Sequence, residues 1–245
     1  MRRAALLAAA FLFLEPACMP AAETPAVAAD HSAGVIGARP TTPVRPGPPG
    51  LRELGGGALL YVPAGVDASR PAPLVVMLHG AGGRAQHSLD LVRAHADKHG
   101  FILLAPASRL TSWDIISQRR FGADNAAIDT ALAAVFSSYA VDPKRLAVAG
   151  FSDGASYALS LGLTNGGLFS HVVAFAPGFI APGQPSGRPD IFITHGKADR
   201  VLPIDRCSRR IVPQLERAGY PVRYVEFDGG HTVPDDLAAE GFGRL

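Results

Sequence analysis

The sequence predicts an α/β domain: a mostly parallel central sheet with helices on both faces. Three observations predict it. Short, continuous apolar runs of strand length recur along the chain. Stretches with apolar residues at helical spacing separate them. One such run leads directly into Gly150-Phe151-Ser152-Asp153-Gly154 and then into a further helical stretch. Strands covered on both faces read as unbroken apolar runs, and strands alternating with helices imply parallel pairing.

In chain order, Arg2 and Arg3 precede an apolar run from Ala4 to Leu14 that ends at Glu15-Pro16. A basic start followed by a short apolar run is the pattern of a secretory signal, and it falls short of the roughly 20 residues a spanning helix needs. Residues 1–28 are therefore expected to be a signal peptide, with Ala26-Val27-Ala28 as a cleavage site and a periplasmic or extracellular destination. Cys18 stands where a lipoprotein cysteine would, but Glu15-Pro16-Ala17 lacks the aliphatic residue such a signal places three positions before it. Residues 29–50, rich in Pro, Ala and Gly, are expected to form an extended linker. The folded domain is expected over 51–245.

Within that domain strands are expected at Leu59–Val62, Leu74–Leu78, Phe101–Leu104, Leu146–Ala149, Val172–Phe175, Ile191–Ile193 and Val222–Val225. The clearest helix carries Ile128, Leu132, Val135, Phe136 and Tyr139 at helical spacing, with Asp124 or Asn125 as its N-cap. Only Pro177 to Pro189 separates two of the strands, too little chain for a large cap domain. An open site is the consequence.

Composition narrows the function. Of 245 residues 48% are hydrophobic and 18% charged, and the net charge is +2. No dense Lys/Arg stripe is present, so a nucleic-acid partner is not expected. Two cysteines do not make a disulfide framework. Cys207 would be an inert thiol on a helix, and a Cys18–Cys207 bridge would need the N-terminus retained. His95 and His99 have a metal-like i, i+4 spacing, but without the glutamate of a zinc-protease motif they read as a solvated helix face. The glycines at 80, 82 and 83 lack the Gly-Lys-Ser/Thr ending of a phosphate loop.

The chemistry concentrates in four places. Gly150 to Gly154 matches G-x-S-x-G between a strand and a helix, which holds Ser152 at the tip of a tight turn. A serine needs a base, and His231 in Gly229-Gly230-His231 follows the last strand. Asp199 follows the strand at Ile191–Thr194. All three lie beyond the carboxyl ends of strands, where open α/β sheets place their sites, in the order Ser, Asp, His. Backbone N–H groups of Ala81, in His79-Gly80-Ala81-Gly82-Gly83, and of Asp153 are the expected oxyanion donors. The Asp153 side chain should point outward or pair with a cation. His79 is expected to stiffen its loop, and His195 to shape the loop that presents Asp199. Trp113 either lines a substrate pocket or packs as a core residue.

The segments LHGAGG, GFSDGASYALSLG, THGKADRVLPID and FDGGHTVP together resemble the bacterial α/β-hydrolases of the phospholipase/carboxylesterase and polyhydroxybutyrate-depolymerase-like branches, from about Leu59 to the C-terminus. The resemblance implies hydrolysis of small or polymeric carboxylic esters without a metal or organic cofactor, with Ser152, Asp199 and His231 as the triad. A thioesterase or peptidase using the same groups, and a non-catalytic binding protein of the same fold, are the alternatives.

Overall fold

The computed structural model describes residues 29–42, 47–67 and 70–245. The signal-like stretch at 1–28, with Cys18 and its pairing to Cys207, lies outside them, as does the proline-rich 43–46. An eight-stranded sheet forms the centre, in the order β1-β2-β4-β3-β5-β6-β7-β8. Its strands are β1 Gly50–Glu53, β2 Leu59–Val62, β3 Ala72–Leu78, β4 Ile102–Ala105, β5 Val141–Phe151, β6 His171–Phe175, β7 Asp190–Gly196 and β8 Val222–Phe227. The pairs β1·β2 and β2·β4 are antiparallel; every other pair is parallel. Helices α1 Ala85–His99, α2 Asp114–Ser117, α3 Ala123–Ser138, α4 Asp153–Thr164, α5 Ser208–Arg217 and α6 Asp235–Phe242 complete the domain.

The apolar runs have a direct structural meaning. Successive strand side chains point to opposite faces. Leu74, Val76 and Leu78 of β3 join one core with α3, α4 and α5, while Val75 and Met77 join a second core with α1 and α6. The alternation repeats in β5, where Leu146 and Val148 face the first core and Ala147 and Ala149 the second. Neither face of the central strands meets water, so neither can be polar.

Helix α3 begins before its expected cap. Gly122 is the N-cap, and Asp124 lies in the first turn. The Asp124 carboxylate accepts from other segments instead, from Arg109 N (2.8 Å) and Asp114 N (2.8 Å). Asn125 donates to Gly34 O (3.1 Å). A capping residue spends its side chain on its own helix; these two spend theirs on holding neighbouring chain.

The expected linker corrects in the same way. Residues 29–42 have no core of their own, yet they are docked on the domain. Ile36 is fully buried. Asn165, at the end of α4, accepts from Ile36 N (2.8 Å) and donates to Gly34 O (2.8 Å). Asp129 of α3 accepts from Gly37 N (3.1 Å) and Ala38 N (2.7 Å) and meets His31 Nε2 at 2.8 Å. Composition showed the proline and glycine but not the two buried polar side chains waiting on α3 and α4. Asp129→Ala is expected to leave those N–H groups unpaired and to cost about 2 kcal/mol, roughly 4–8 °C in Tm at this chain length. Thermal unfolding and protease cleavage between residues 29 and 42 would register it.

In place of a cap, residues 177–189 run down the outside of α4. Ser156, Ser160 and Thr164, spaced four apart, accept in turn from Gly178 N, Ala181 N and Gly183 N, each at 2.9 Å. Each hydroxyl donates to the carbonyl one turn earlier in α4. This hydroxyl ladder fixes the crossover against the helix. No helix among the described residues is long and apolar enough to cross a membrane.

Candidate functional site

Central strand β5 ends at Phe151, and the chain turns through Ser152 into α4. Ser152 sits at φ 57° and ψ −120°, a left-handed conformation costing a non-glycine residue about 1–3 kcal/mol. Its N–H is fixed by Phe175 O at 2.9 Å. The flanking glycines are demanded by contact. A Cβ on Gly150 would lie 2.1 Å from Gly154 O, and one on Gly154 would lie 2.2 Å from Leu78 O. Strand, turn and helix can pass this closely only without side chains at those positions.

Three groups far apart in sequence meet here. Ser152 Oγ donates toward His231 Nε2 at 2.9 Å, and His231 Nδ1 donates to Asp199 Oδ2 at 2.6 Å. Ser152 is 8% exposed, and the His231 and Asp199 side chains are 15% and 0% exposed. The other Asp199 oxygen accepts from Val201 N (2.9 Å) and Leu202 N (2.8 Å). Burial pushes the Asp199 pKa up. The His231 hydrogen bond and the Leu202 and Val201 N–H groups outweigh burial and hold it below its ordinary 3.8. A depressed carboxylate pKa contributes stability that is present above about pH 4 and lost as pH falls through the folded value. Asp199 is thus ionised throughout the neutral range. The Phe151 ring packs beside the imidazole, centroids 4.8 Å apart.

His195 supports the same carboxylate from below. It is fully buried; its Nε2–H donates to Leu202 O (2.7 Å) and lies 3.3 Å from Asp199 Oδ2, while Nδ1 accepts from Ser208 Oγ (2.7 Å). Burial lowers its pKa, so the ring is neutral.

The His79–Gly83 loop lies across from the serine turn. A Cβ on Gly80 would approach Ser152 Cβ to 3.3 Å. Within the loop Gly82 N donates to Thr111 O (2.6 Å) and Gly83 N to Gly80 O (3.0 Å); the Ala81 N–H between them has no such partner among the described residues. Asp153 N–H is the first of the donors that the start of α4 leaves without intrahelical partners. His79 is buried. Its Nδ1–H donates to Gly80 O (2.8 Å), and its Nε2 accepts from Ser108 N (3.1 Å). Burial lowers its pKa, and a neutral ring stiffening the turn follows.

Trp113 is a core residue and no pocket wall. It is 0% exposed, its Nε1–H donates to His79 O (2.8 Å), and its ring packs on His79 and Tyr157. Its indole needs an acceptor when buried, and the His79 carbonyl supplies one. The Asp153 side chain is half-buried and its carboxylate accepts from Ser112 Oγ; no cation pairs with it among the described residues.

Sequence reasoning missed the clamp behind these contacts. Asp114 accepts from Asp124 N (2.9 Å) while Asp124 accepts from Asp114 N (2.8 Å). This reciprocal pair pins residues 108–114, which in turn hold His79, Gly82 and Asp153. Burial raises the pKa of both carboxylates. A carboxylate ten residues from another carries no spacing rule that would have revealed the pair.

His95 also departs from expectation. It is buried against Phe242, with Nε2 3.1 Å from Asp235 Oδ1, because α6 covers that face of α1. Cys207 is a buried free thiol at the N-cap of α5, its pKa raised by burial.

A mixed sheet with parallel centre, helices on both faces and a strained serine between central strand and helix make this an α/β-hydrolase. Residues 57–202 match the family model described as esterase PHB depolymerase, and the chain belongs to that family. An acetylxylan esterase of Coprinopsis cinerea is 33% identical over 54% of this chain. The chain spans 38% of that relative's length. Esterase PE8 superposes with a TM-score of 0.63 at 22% identity, covering 79% of this chain and 98% of that one. A phospholipase/carboxylesterase from Dyadobacter fermentans gives 0.57 at 25% identity, covering 78% and 97%.

Proposed function

We propose that this protein hydrolyses carboxylic esters through an acyl-enzyme on Ser152. The observation that carries the proposal is the unbroken contact from Ser152 Oγ through His231 to a buried, ionised Asp199. Ser152 Oγ attacks the acyl carbon as His231 Nε2 takes its proton. The oxyanion is received by the N–H groups of Ala81 and Asp153, each such donor commonly contributing about 2.7–4 kcal/mol. His231 then protonates the departing alcohol, and water repeats the sequence to release the acid. Asp199 holds the imidazole with Nε2 free to accept and stabilises its charged form.

Family membership and the acetylxylan esterase likeness favour short acyl groups on a sugar or polymer. The exposed Ala81 loop and the crossover held against α4 leave the serine approachable by a bulky alcohol portion. Export, read from residues 1–28, would bring the protein to such substrates outside the cell. A fluorophosphonate probe tests the nucleophile: stoichiometric labelling mapped to Ser152 is expected in folded protein and none after denaturation. Labelling at another serine would overturn the assignment.

A further inference from the structure

Between α2 and the crossover along α4 lies a cavity of about 550 Å³, within the usual range of about 300–1,000 Å³ for small-molecule sites. Ile115 and Ile116 of α2 line it with Phe121, Phe179 lines it from the crossover, and the docked segment at 32–33 adds a further side. Arg119 and Arg120 complete the charged part of the lining. Both are exposed, and neither has an acidic partner among the described residues. No carboxylate lines the cavity to offset them.

Both walls are held rigidly. The hydroxyl ladder anchors Ala181 and Gly183 beside Phe179, and the Asp114–Asp124 clamp anchors the start of α2. Arg119 adopts φ 59°, a backbone state that a side-chain-bearing residue keeps only where its surroundings impose it. Strain of this kind gathers at ligand sites. None of Ser152, Asp199, His231 and Ala81 lines the cavity.

We propose that this cavity is an accessory binding site for a small aryl carboxylate. Aliphatic and aromatic walls accept a flat ring, for which offset contact with Phe179 is favourable. The two guanidinium forks match a carboxylate in charge and geometry. An aliphatic amide or neutral arene would satisfy only one half of the lining.

The test is calorimetric titration of 2-naphthoate into full-length Ser152→Ala protein, so that binding is read without turnover and independently of the reaction proposed above. Saturable one-to-one binding is expected, weakened about tenfold or more in the Arg119→Ala/Arg120→Ala double variant and for naphthalene-2-carboxamide. Arg120→Gln alone should weaken it about threefold. Wild-type protein phosphonylated at Ser152 should bind 2-naphthoate unchanged. Equal affinity for the carboxamide, no effect of the arginine changes, absence of saturable binding, or loss of binding on phosphonylation would each overturn the proposal.

Discussion

Ser152→Ala is expected to lower kcat for p-nitrophenyl acetate by about 10⁵–10⁶-fold, leaving only the residual rate that binding and the proposed oxyanion donors sustain. The size follows from what the substitution removes. The proposed oxyanion donors are backbone groups and remain, but no oxygen is left to form the acyl-enzyme. The fold should be unaffected, since alanine suffers the same left-handed φ as serine and the N–H bond to Phe175 O is kept. His231→Ala should be nearly as severe, and the double variant no worse than Ser152→Ala alone, because the two groups act on one proton. Additive losses would mean that hydroxyl and imidazole work in separate steps. More than about 1% residual activity in Ser152→Ala would remove the serine from the reaction altogether.

Much of this site was legible in the sequence because each reactive group carries its own local signature. The serine lies between glycines at a strand end, and contact explains both glycines: a Cβ at either would strike backbone within 2.2 Å. His231 and Asp199 each follow a strand, and a parallel sheet brings the ends of its strands to one edge. Fold class was legible for a related reason, since β3, β5, β6 and β7 must be apolar on both faces. What stayed hidden is polar and long-range. Asp129 and Asn165 reach across to the 29–42 segment over more than 90 residues of sequence. Asp124 leaves its own helix to hold Arg109 and Asp114. Trp113 could be core or pocket until its acceptor, the His79 carbonyl, was known. Buried polar side chains pair because orphaned donors are costly, but the partner is chosen by the assembled fold and leaves no periodic trace.

These hidden contacts converge on the side of the site that carries the proposed oxyanion donors, Ala81 and Asp153. The loop at 108–114 touches His79 through Ser108 and Trp113, Gly82 through Thr111, and Asp153 through Ser112. Donors that must meet a transition state need positions fixed in advance, since reorganisation at the moment of reaction forfeits their advantage. The clamp thus gives the proposed backbone donors a rigidity that glycine-rich sequence alone would deny them.

Asp199→Asn is expected to lower kcat by about 10⁴-fold while leaving the fold intact. One Asp199 oxygen is committed to the Val201 and Leu202 N–H groups, and an asparagine carbonyl can take that place. Its NH₂ must then occupy the position of Oδ2, facing His231 Nδ1 at 2.6 Å and His195 Nε2 at 3.3 Å. Both ring nitrogens donate in the parent arrangement, so the amide meets two donors with a donor of its own. His195 is held to its tautomer by the Leu202 carbonyl. His231 alone can yield, moving its proton to Nε2, and there it faces Ser152 as a donor unable to accept. The imidazole would sit in place in the wrong tautomer, so KM should change little while kcat collapses. A crystal structure or an imidazole nitrogen NMR spectrum of the variant would show the proton on Nε2. If kcat falls by less than about tenfold, Asp199 is a scaffold for its loop and does not govern the base.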